Sequence, residues 1–247
     1  MANQIFSGQN IQRTPGCVVV QTCDSYQRFW NSFFWSFYKY WDRNISWPIY
    51  FCNEEIEVNM PGFSQGRTGK GSHSDRMRRI LASLPEYEYV FYLLEDFWLT
   101  DPMTKEMFDG LFSMVKENNW DSLRVATHQP AYYKVEPTEH RFQGQRILKF
   151  AKDSDWQYSQ QAAFWKREFL LKCIVEPEIS EVEVSSSITG EVAMDHFLRK
   201  NFPDSQIYLY NYNWYPVSGA VWRGKLTQMG EQIEFLRQVD QVVKDFN

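Results

Sequence analysis

The sequence predicts a single α/β domain over residues 1–247, with a mostly parallel central sheet and helices on both faces. Two observations carry the prediction. In the first half of the chain, short apolar runs of strand length alternate with amphipathic runs of helix length, as they do where helices serve as the crossovers of a parallel sheet. The strongest apolar run, Tyr89-Val-Phe-Tyr-Leu-Leu94, ends abruptly in the acidic pair Glu95-Asp96. Residues just beyond the carboxyl ends of strands face the ligand crevice of such a sheet.

Each element has its own signal. After Pro15-Gly16 the β-branched run Cys17-Val-Val-Val-Gln-Thr22 reads as a buried strand, and Cys23-Asp24-Ser25 as the N-cap of a helix. Tyr26, Phe29, Trp30, Phe33, Phe34, Phe37, Tyr38 and Trp41 then follow at three-to-four spacing, an aromatic stripe expected to pack on the sheet. Trp47-Pro-Ile-Tyr-Phe-Cys52 reads as the second strand, so the chain opens β-α-β. The glycine-rich stretch 61–72 predicts a loop, and 53–74 as a whole a mobile lid. It is no Walker A loop, which needs glycine where Ser64 stands and Ser or Thr where Gly71 stands. A short helix is expected over 75–84, with Arg76, Arg78 and Arg79 near its start and Pro85 at its end. Asp101 as N-cap and Pro102 at the first helical position predict a helix reaching Asn118. Further strands are expected at 122–127, 146–150 and 159–164, and helices at 166–173, 190–201 and 228–246.

Composition removes several classes of function. A net charge of −5 with interspersed signs leaves no footprint for a phosphate backbone, so nucleic acid is not an expected partner. Cys17, Cys23, Cys52 and Cys173 lack C-x-x-C spacing and read as reduced thiols of a reducing compartment. Residues 1–15 are polar, without the pattern of a signal peptide, and no run is long enough for a transmembrane segment. The expected location is cytoplasmic, peripheral at the inner face of a membrane where an acceptor is lipid-linked. His73, His128, His140 and His196 show no metal-clamp spacing and read as bystanders, although His128 follows a predicted strand end. No G-x-S-x-G elbow is present, so an α/β-hydrolase lacks its nucleophile.

Three strand ends then hold the candidate chemistry: Thr22-Cys23-Asp24-Ser25, Asn53-Glu54-Glu55 and Glu95-Asp96. Two adjacent carboxylates after an apolar strand are costly to desolvate unless hydrogen bonds or a cation hold them. Capping of the next helix, or water, would satisfy them. So would Mn2+ or Mg2+ bridging to a diphosphate.

The segment Tyr89-Val-Phe-Tyr-Leu-Leu-Glu-Asp-Phe-Trp-Leu99 resembles the strand and acidic motif of GT-A glycosyltransferases, in particular the small capsular or surface-polysaccharide type of bacteria and large viruses. Ser159-Gln-Gln-Ala-Ala-Phe-Trp-Lys-Arg-Glu-Phe-Leu170 resembles that group's acceptor-side segment, Glu181-Val-Glu183-Val-Ser-Ser-Ser187 its acidic segment, and Ala220-Val-Trp-Arg-Gly-Lys225 its late Arg-Gly-Lys turn. The resemblance implies a nucleotide-sugar donor laid over Thr22, Asp24 and Ser25, with its diphosphate near Asp96, the expected metal ligand. Glu95 would orient the ribose or an arginine. Arg76 and Arg79 would neutralise phosphate, and Arg223 and Lys225 would close over the leaving diphosphate. Glu183 is the first candidate for the base of an inverting transfer, followed by Glu191 and Asp195, which share one helical face. Trp98, Gln161 and Trp165 are expected on the acceptor side, and Trp156 is another ring able to stack on a sugar.

The expected function is transfer of a hexose or deoxyhexose from a nucleotide-diphosphate sugar to a surface-polysaccharide or related glycan acceptor. The adjacent acids depart from Asp-X-Asp spacing, which favours the alternative of a non-catalytic carbohydrate- or nucleotide-binding protein on the same scaffold. A nucleotidyltransferase would need a glycine-rich basic loop beside the first strand, and none stands there.

Overall fold

The computed structural model describes residues 14–125, 133–174, 186–210, 220–222 and 224–245. In chain order the elements are β1 (Gly16–Gln21), α1 (Gln27–Tyr40), β2 (Ile49–Asn53), β3 (Phe63–Arg67), α2 (His73–Ala82), β4 (Tyr89–Leu94), α3 (Lys105–Glu117), β5 (Ser122–Arg124), β6 (Val135–Phe142), β7 (Gln145–Phe150), β8 (Ala163–Lys166), α4 (Arg167–Cys173), α5 (Ser186–Asn201), β9 (Ile207–Tyr210), β10 (Val221–Trp222), β11 (Lys225–Leu226) and α6 (Gln228–Asp245). Among the described residues nine strands form one sheet in the order β3-β2-β1-β4-β8-β5-β9-β7-β6, and β10 and β11 form a separate hairpin. The half β3-β2-β1-β4 is parallel. Beyond it β8 runs antiparallel to both β4 and β5, β9 is parallel to β5, and β7 and β6 close the sheet antiparallel.

Successive strand residues point to opposite faces, and the two faces here enter two different cores. Val18, Val20, Phe51, Phe91 and Leu93 meet the aromatic face of α1 and the apolar residues of α3. Cys17, Val19, Tyr50, Cys52, Val90 and Tyr92 meet Met77, Ile80 and Leu81 of α2, Leu170 of α4, and Met194 and Leu198 of α5. Both faces are therefore covered, which explains why β1 and β4 read as continuous apolar runs rather than alternating ones. The stripe of α1 is core, with Phe29, Trp30, Phe33, Phe34 and Phe37 all buried and Phe34 4.7 Å from Phe51, centroid to centroid.

Four expectations change. The segment 63–67 is an edge strand paired with β2 and not a lid; Phe63 lies under α1, 5.0 Å from Phe34, and the Thr68 hydroxyl donates to the Asn53 carbonyl at 2.9 Å. Helix α2 starts at His73 instead of 75, because the Ser72 side chain accepts from the Asp75 N–H at 3.0 Å. Helix α3 starts at Lys105, capped by Thr104, whose hydroxyl accepts from the Met107 N–H at 3.2 Å; Asp101 is not its cap. The strand expected from 159 starts at Ala163, and the preceding residues form a loop that belongs to the site. For Thr104→Ala we expect a loss of about 1 kcal/mol, or roughly 2–4 °C in a thermal melt, whereas Asp101→Ala should leave the melt unchanged.

Cys17, Cys52 and Cys173 are buried and unpaired, and Cys23 is part-exposed. Among the described residues no helix is long and apolar enough to cross a membrane.

Candidate active site

The connectivity proceeds from β1 to β2 to β3 on one side and then places β4 on the other side of β1. Such a reversal opens a crevice beyond the carboxyl ends of the two strands at the switch, here β1 and β4. Their register pairs Gln21 with Leu94, which sets Thr22 next to Glu95. The two chain segments singled out in the sequence therefore meet.

Glu95 is buried, 5% exposed, beside Thr22, whose hydroxyl accepts from Trp30 Nε1 at 2.9 Å. Burial pushes its pKa well above the usual carboxylate range, and the charge of Asp96 pushes it further; hydrogen bonds from its own backbone and from Thr22, and the nearby Arg76, oppose this only in part. Asp96 is part-exposed as a residue, but its Oδ1 is closed off from solvent and has no hydrogen-bond partner. Its pKa is raised to about 7, chiefly by burial and then by the charge of Glu191. Two neighbouring acids whose charged forms burial disfavours are the arrangement that a cation relieves.

Around this pair the structure gathers residues from distant parts of the chain. Tyr26 is half-buried; burial, then the charges of Asp96 and Glu95, raises its pKa. Its hydroxyl accepts the Gly224 N–H at 3.1 Å, Arg28 donates to the Gly224 carbonyl, and the Ala220 N–H donates to the Asp96 carbonyl at 2.8 Å. The β10–β11 hairpin is thus seated on the acid pair, turning at Gly224 with φ +72°, a conformation that favours glycine. Lys225 lies exposed in this hairpin; Arg223 falls outside the described residues. Arg76, 7% exposed, donates from Nη1 to the Thr22 carbonyl at 2.5 Å, while its Nε, 3.9 Å from Glu54, has no hydrogen-bond partner. Ser25 is exposed, its hydroxyl 3.1 Å from Cys23 Sγ.

Several expected site residues have other work. The Asp24 carboxylate accepts from the N–H groups of Glu54, Glu55 and Ile56 and from the Asn53 side chain, at 2.9–3.1 Å. Burial raises its pKa, but these hydrogen bonds together outweigh that and hold it below the usual value. Asp24 is a latch between the ends of β1 and β2 rather than a free ligand for the donor. Arg79 donates to the carbonyls of Thr68, Lys70 and Asp75, tying 68–70 to α2 and leaving no fork for phosphate. Trp98 and Trp165 are each 1% exposed and lie in the core, so neither ring can stack on an acceptor; Trp98 Nε1 donates to the Glu95 carbonyl at 3.0 Å, bracing the acid from behind.

The loop before β8 is tied toward the acid pair by Glu191, which accepts the Gln160 N–H and whose charge acts on Asp96. Glu191 and Asp195, one turn apart on α5, hold this loop. Glu191 Oε1 accepts the Gln160 N–H at 2.8 Å. Asp195 accepts the Trp156 and Tyr158 N–H groups, both at 3.0 Å, and ion-pairs with Arg199; Asp195 is therefore a structural anchor and not a free base. Arg124, 2% exposed, donates to the carbonyls of Trp156 and Gln157 at 2.6 and 3.1 Å. Arg124→Met should destabilise by about 3 kcal/mol, because it removes the donor to the Trp156 and Gln157 carbonyls and a buried positive charge that acts on Glu191 and Asp195; a lowered urea midpoint at unchanged m-value is the check. Glu183 lies outside the described residues.

Sequence reasoning missed His73, Gln21, Tyr92, Gln160 and Arg124. His73 Nδ1 is 3.3 Å from Gln21 Nε2, its Nε2 is 3.2 Å from the Tyr92 hydroxyl, and that hydroxyl donates to Gln21 Oε1 at 3.1 Å. The closed ring of bonds fits a neutral imidazole carrying its proton on Nε2, and burial, with Arg76 nearby, lowers the His73 pKa to about 3. No local pattern in the sequence announces a histidine bound to two strands that lie 52 and 19 residues away.

Among the described residues no group of three or more His, Cys, Asp or Glu side chains could hold a metal by itself. A single unpartnered Asp96 oxygen beside Glu95 nevertheless suits a magnesium-type ion, which takes one or two carboxylates and completes its shell from phosphate and water.

Layering, strand order and the β1/β4 switch point define a Rossmann-like α/β fold. No protein-family model matches the chain, and no curated protein matches it. Among solved structures it is similar to TarS 1-349 of S. aureus, at 15% identity and a TM-score of 0.46 over 79% of this chain and 60% of that one. It is also similar to UDP-glucose pyrophosphorylase complexed with UDP-glucose, at 9% and 0.46 over 81% and 93%. A third is 4-diphosphocytidyl-2C-methyl-D-erythritol synthase of Anaerococcus prevotii, at 12% and 0.44 over 92% and 96%. The chain spans about 60% of TarS 1-349. Likenesses this slight carry no argument about activity, and they do not bear on the finer resemblance to capsular or viral enzymes.

Proposed function

We propose that this chain is a glycosyltransferase that moves a hexose or deoxyhexose from a nucleotide-diphosphate sugar to a surface-polysaccharide or related glycan acceptor. The observation that carries the reading is Asp96 Oδ1, buried and without a partner beside Glu95 at the β1/β4 switch point. Asp96 would hold Mn2+ or Mg2+ together with phosphate oxygens, and such an ion supplies positive charge to a departing diphosphate. Arg76, with an unpartnered Nε at the end of β1, offers a second donor on the phosphate side. Tyr26 and the hairpin turn at Gly224, joined by a hydrogen bond, stand beside the acid pair.

An inverting transfer needs a carboxylate to take the proton of the acceptor hydroxyl. Among the described candidates Glu191 serves best. Burial raises its pKa, partly offset by hydrogen bonds from the Gln160 N–H and the Ser159 side chain, and its charge reaches Asp96. The proposed place of work is the cytoplasm, and an acceptor that is lipid-linked would be met peripherally.

The engagement of Asp195, and in part Glu191, by backbone N–H groups favours the second reading of a non-catalytic binder. Slow donor hydrolysis separates the two. Incubated with UDP-, GDP-, dTDP- and CMP-sugars and Mn2+, and followed by NMR, the protein should release free sugar from one donor class, and Asp96→Ala should not. A donor that binds but stays intact, with or without glycan acceptors, would leave only the binder.

A further inference from the structure

Trp156 has φ +62°. A left-handed backbone costs a residue with a side chain about 1–2 kcal/mol, and strain of this kind persists only where the surroundings over-determine it. Here they do. The Trp156 N–H is held by Asp195 and its carbonyl by Arg124, and the same two side chains hold the Tyr158 N–H and the Gln157 carbonyl. Gln157 Nε2 donates in turn to the carbonyls of Ala151 and Lys152, both at 3.0 Å. Arg124 and Asp195 are 2% and 4% exposed, so two opposite charges are buried to keep one peptide in an unfavourable shape. Trp156 remains part-exposed, unlike the core rings Trp98 and Trp165.

The loop leads to the acid pair. Asp195 and Glu191 are one helical turn apart, about 6 Å along the axis, and the loop follows them from Trp156 to Gln160, whose N–H meets Glu191. Gln160, 7% exposed, has an unpartnered Nε2, and Gln161 an unpartnered Oε1. A buried donor and a buried acceptor without partners are complementary to hydroxyl groups, and an aromatic face is complementary to the apolar face of a pyranose. An acidic sugar would bring a further carboxylate beside Glu95, Asp96 and Glu191, which already oppose one another's ionisation.

We infer that the loop 156–161 is the acceptor site, with Trp156 as a stacking platform for a neutral pyranose and Gln160 Nε2 and Gln161 Oε1 as its hydroxyl partners. The role of that sugar as acceptor rests on the transferase reading; its binding does not.

Saturation-transfer NMR tests it, with the methyl glycosides of glucose, galactose, mannose, rhamnose and N-acetylglucosamine, and methyl glucuronide as the acidic counterpart. Trp156→Gly and Trp156→Asn accept the left-handed backbone and keep the loop, and Trp156→Phe keeps a ring. At least one neutral glycoside should bind the wild type and Trp156→Phe, with the glucuronide weaker. Affinity should fall about tenfold or more, a difference of about 1.4 kcal/mol, in both Trp156→Gly and Trp156→Asn. Thermal stabilisation by a nucleotide sugar should be equal in all four proteins. Equal glycoside binding to wild type and Trp156→Gly, or no glycoside binding to the wild type, would overturn the platform and leave the donor site standing. Absence of any nucleotide-sugar response, with the glycoside series as expected, would overturn the donor site and leave the platform.

Discussion

Asp96→Asn is expected to lower donor-dependent turnover by about 10²–10³-fold or more, the scale for losing a preorganised charge at the reacting centre, and at the same time to stabilise the metal-free protein above neutral pH. The second effect follows from linkage. The folded-state pKa, raised to about 7 mainly by burial, lies above the unfolded value near 3.8. Between those values the folded state holds a proton that the unfolded state has released, so stability falls as pH rises from about 4 to about 7, and the deficit is complete above 7. Asparagine has no such deficit. A gain of about 1–3 kcal/mol at pH 8, fading by pH 4, corresponds to roughly 2–12 °C. Melting curves in EDTA at pH 4, 6 and 8 read it directly, and an Asp96→Asn melt that tracks the wild type at every pH would refute the burial argument.

Glu191→Gln should lower kcat by about 10²–10⁴-fold, the range for losing a positioned general base, with donor binding kept. The amide oxygen of glutamine can still accept the Gln160 N–H, so the loop keeps its anchor. Wild-type turnover should rise with pH through a pKa above the usual carboxylate range, because burial disfavours the charged form of Glu191 that takes the proton. That limb should be absent in Glu191→Gln. If kcat were unaffected, the base would have to be sought among residues outside those described, Glu183 first.

Long apolar runs made the parallel half of the fold legible. β1, β2 and β4 are buried on both faces, so composition alone marks them, and the aromatic spacing of α1 follows its buried face. β3, Phe63-Ser-Gln-Gly-Arg67, was not legible, because an edge strand with one apolar ring takes its structure from pairing with β2 and carries no pattern of its own. β6 is likewise exposed and polar, and its pairing with β7 holds it.

Within the site, the position of Glu95-Asp96 after β4 and of Thr22 after β1 followed from strand ends alone. The roles of Asp24, Arg79 and Asp195 did not. Each lies where a ligand-binding group would be expected, yet each is occupied by backbone groups: Asp24 and Asp195 by N–H groups from segments 30 and 39 residues away, Arg79 by carbonyls of the loop just before its own helix. Trp98 and Trp165 show the same limit from the other side, since residue type suggests stacking and only burial reveals them as core.

The decisive measurement is a thermal-shift panel of UDP-, GDP-, dTDP- and CMP-sugars, with and without Mn2+, on wild type and Asp96→Ala. A ligand that binds only the folded state at about 100 times its Kd stabilises by about 2.7 kcal/mol, a shift of several degrees. One nucleotide class should stabilise the wild type in the presence of the metal and fail to do so in Asp96→Ala. No response to any nucleotide sugar, or an undiminished response in Asp96→Ala, would contradict a donor site built on Asp96.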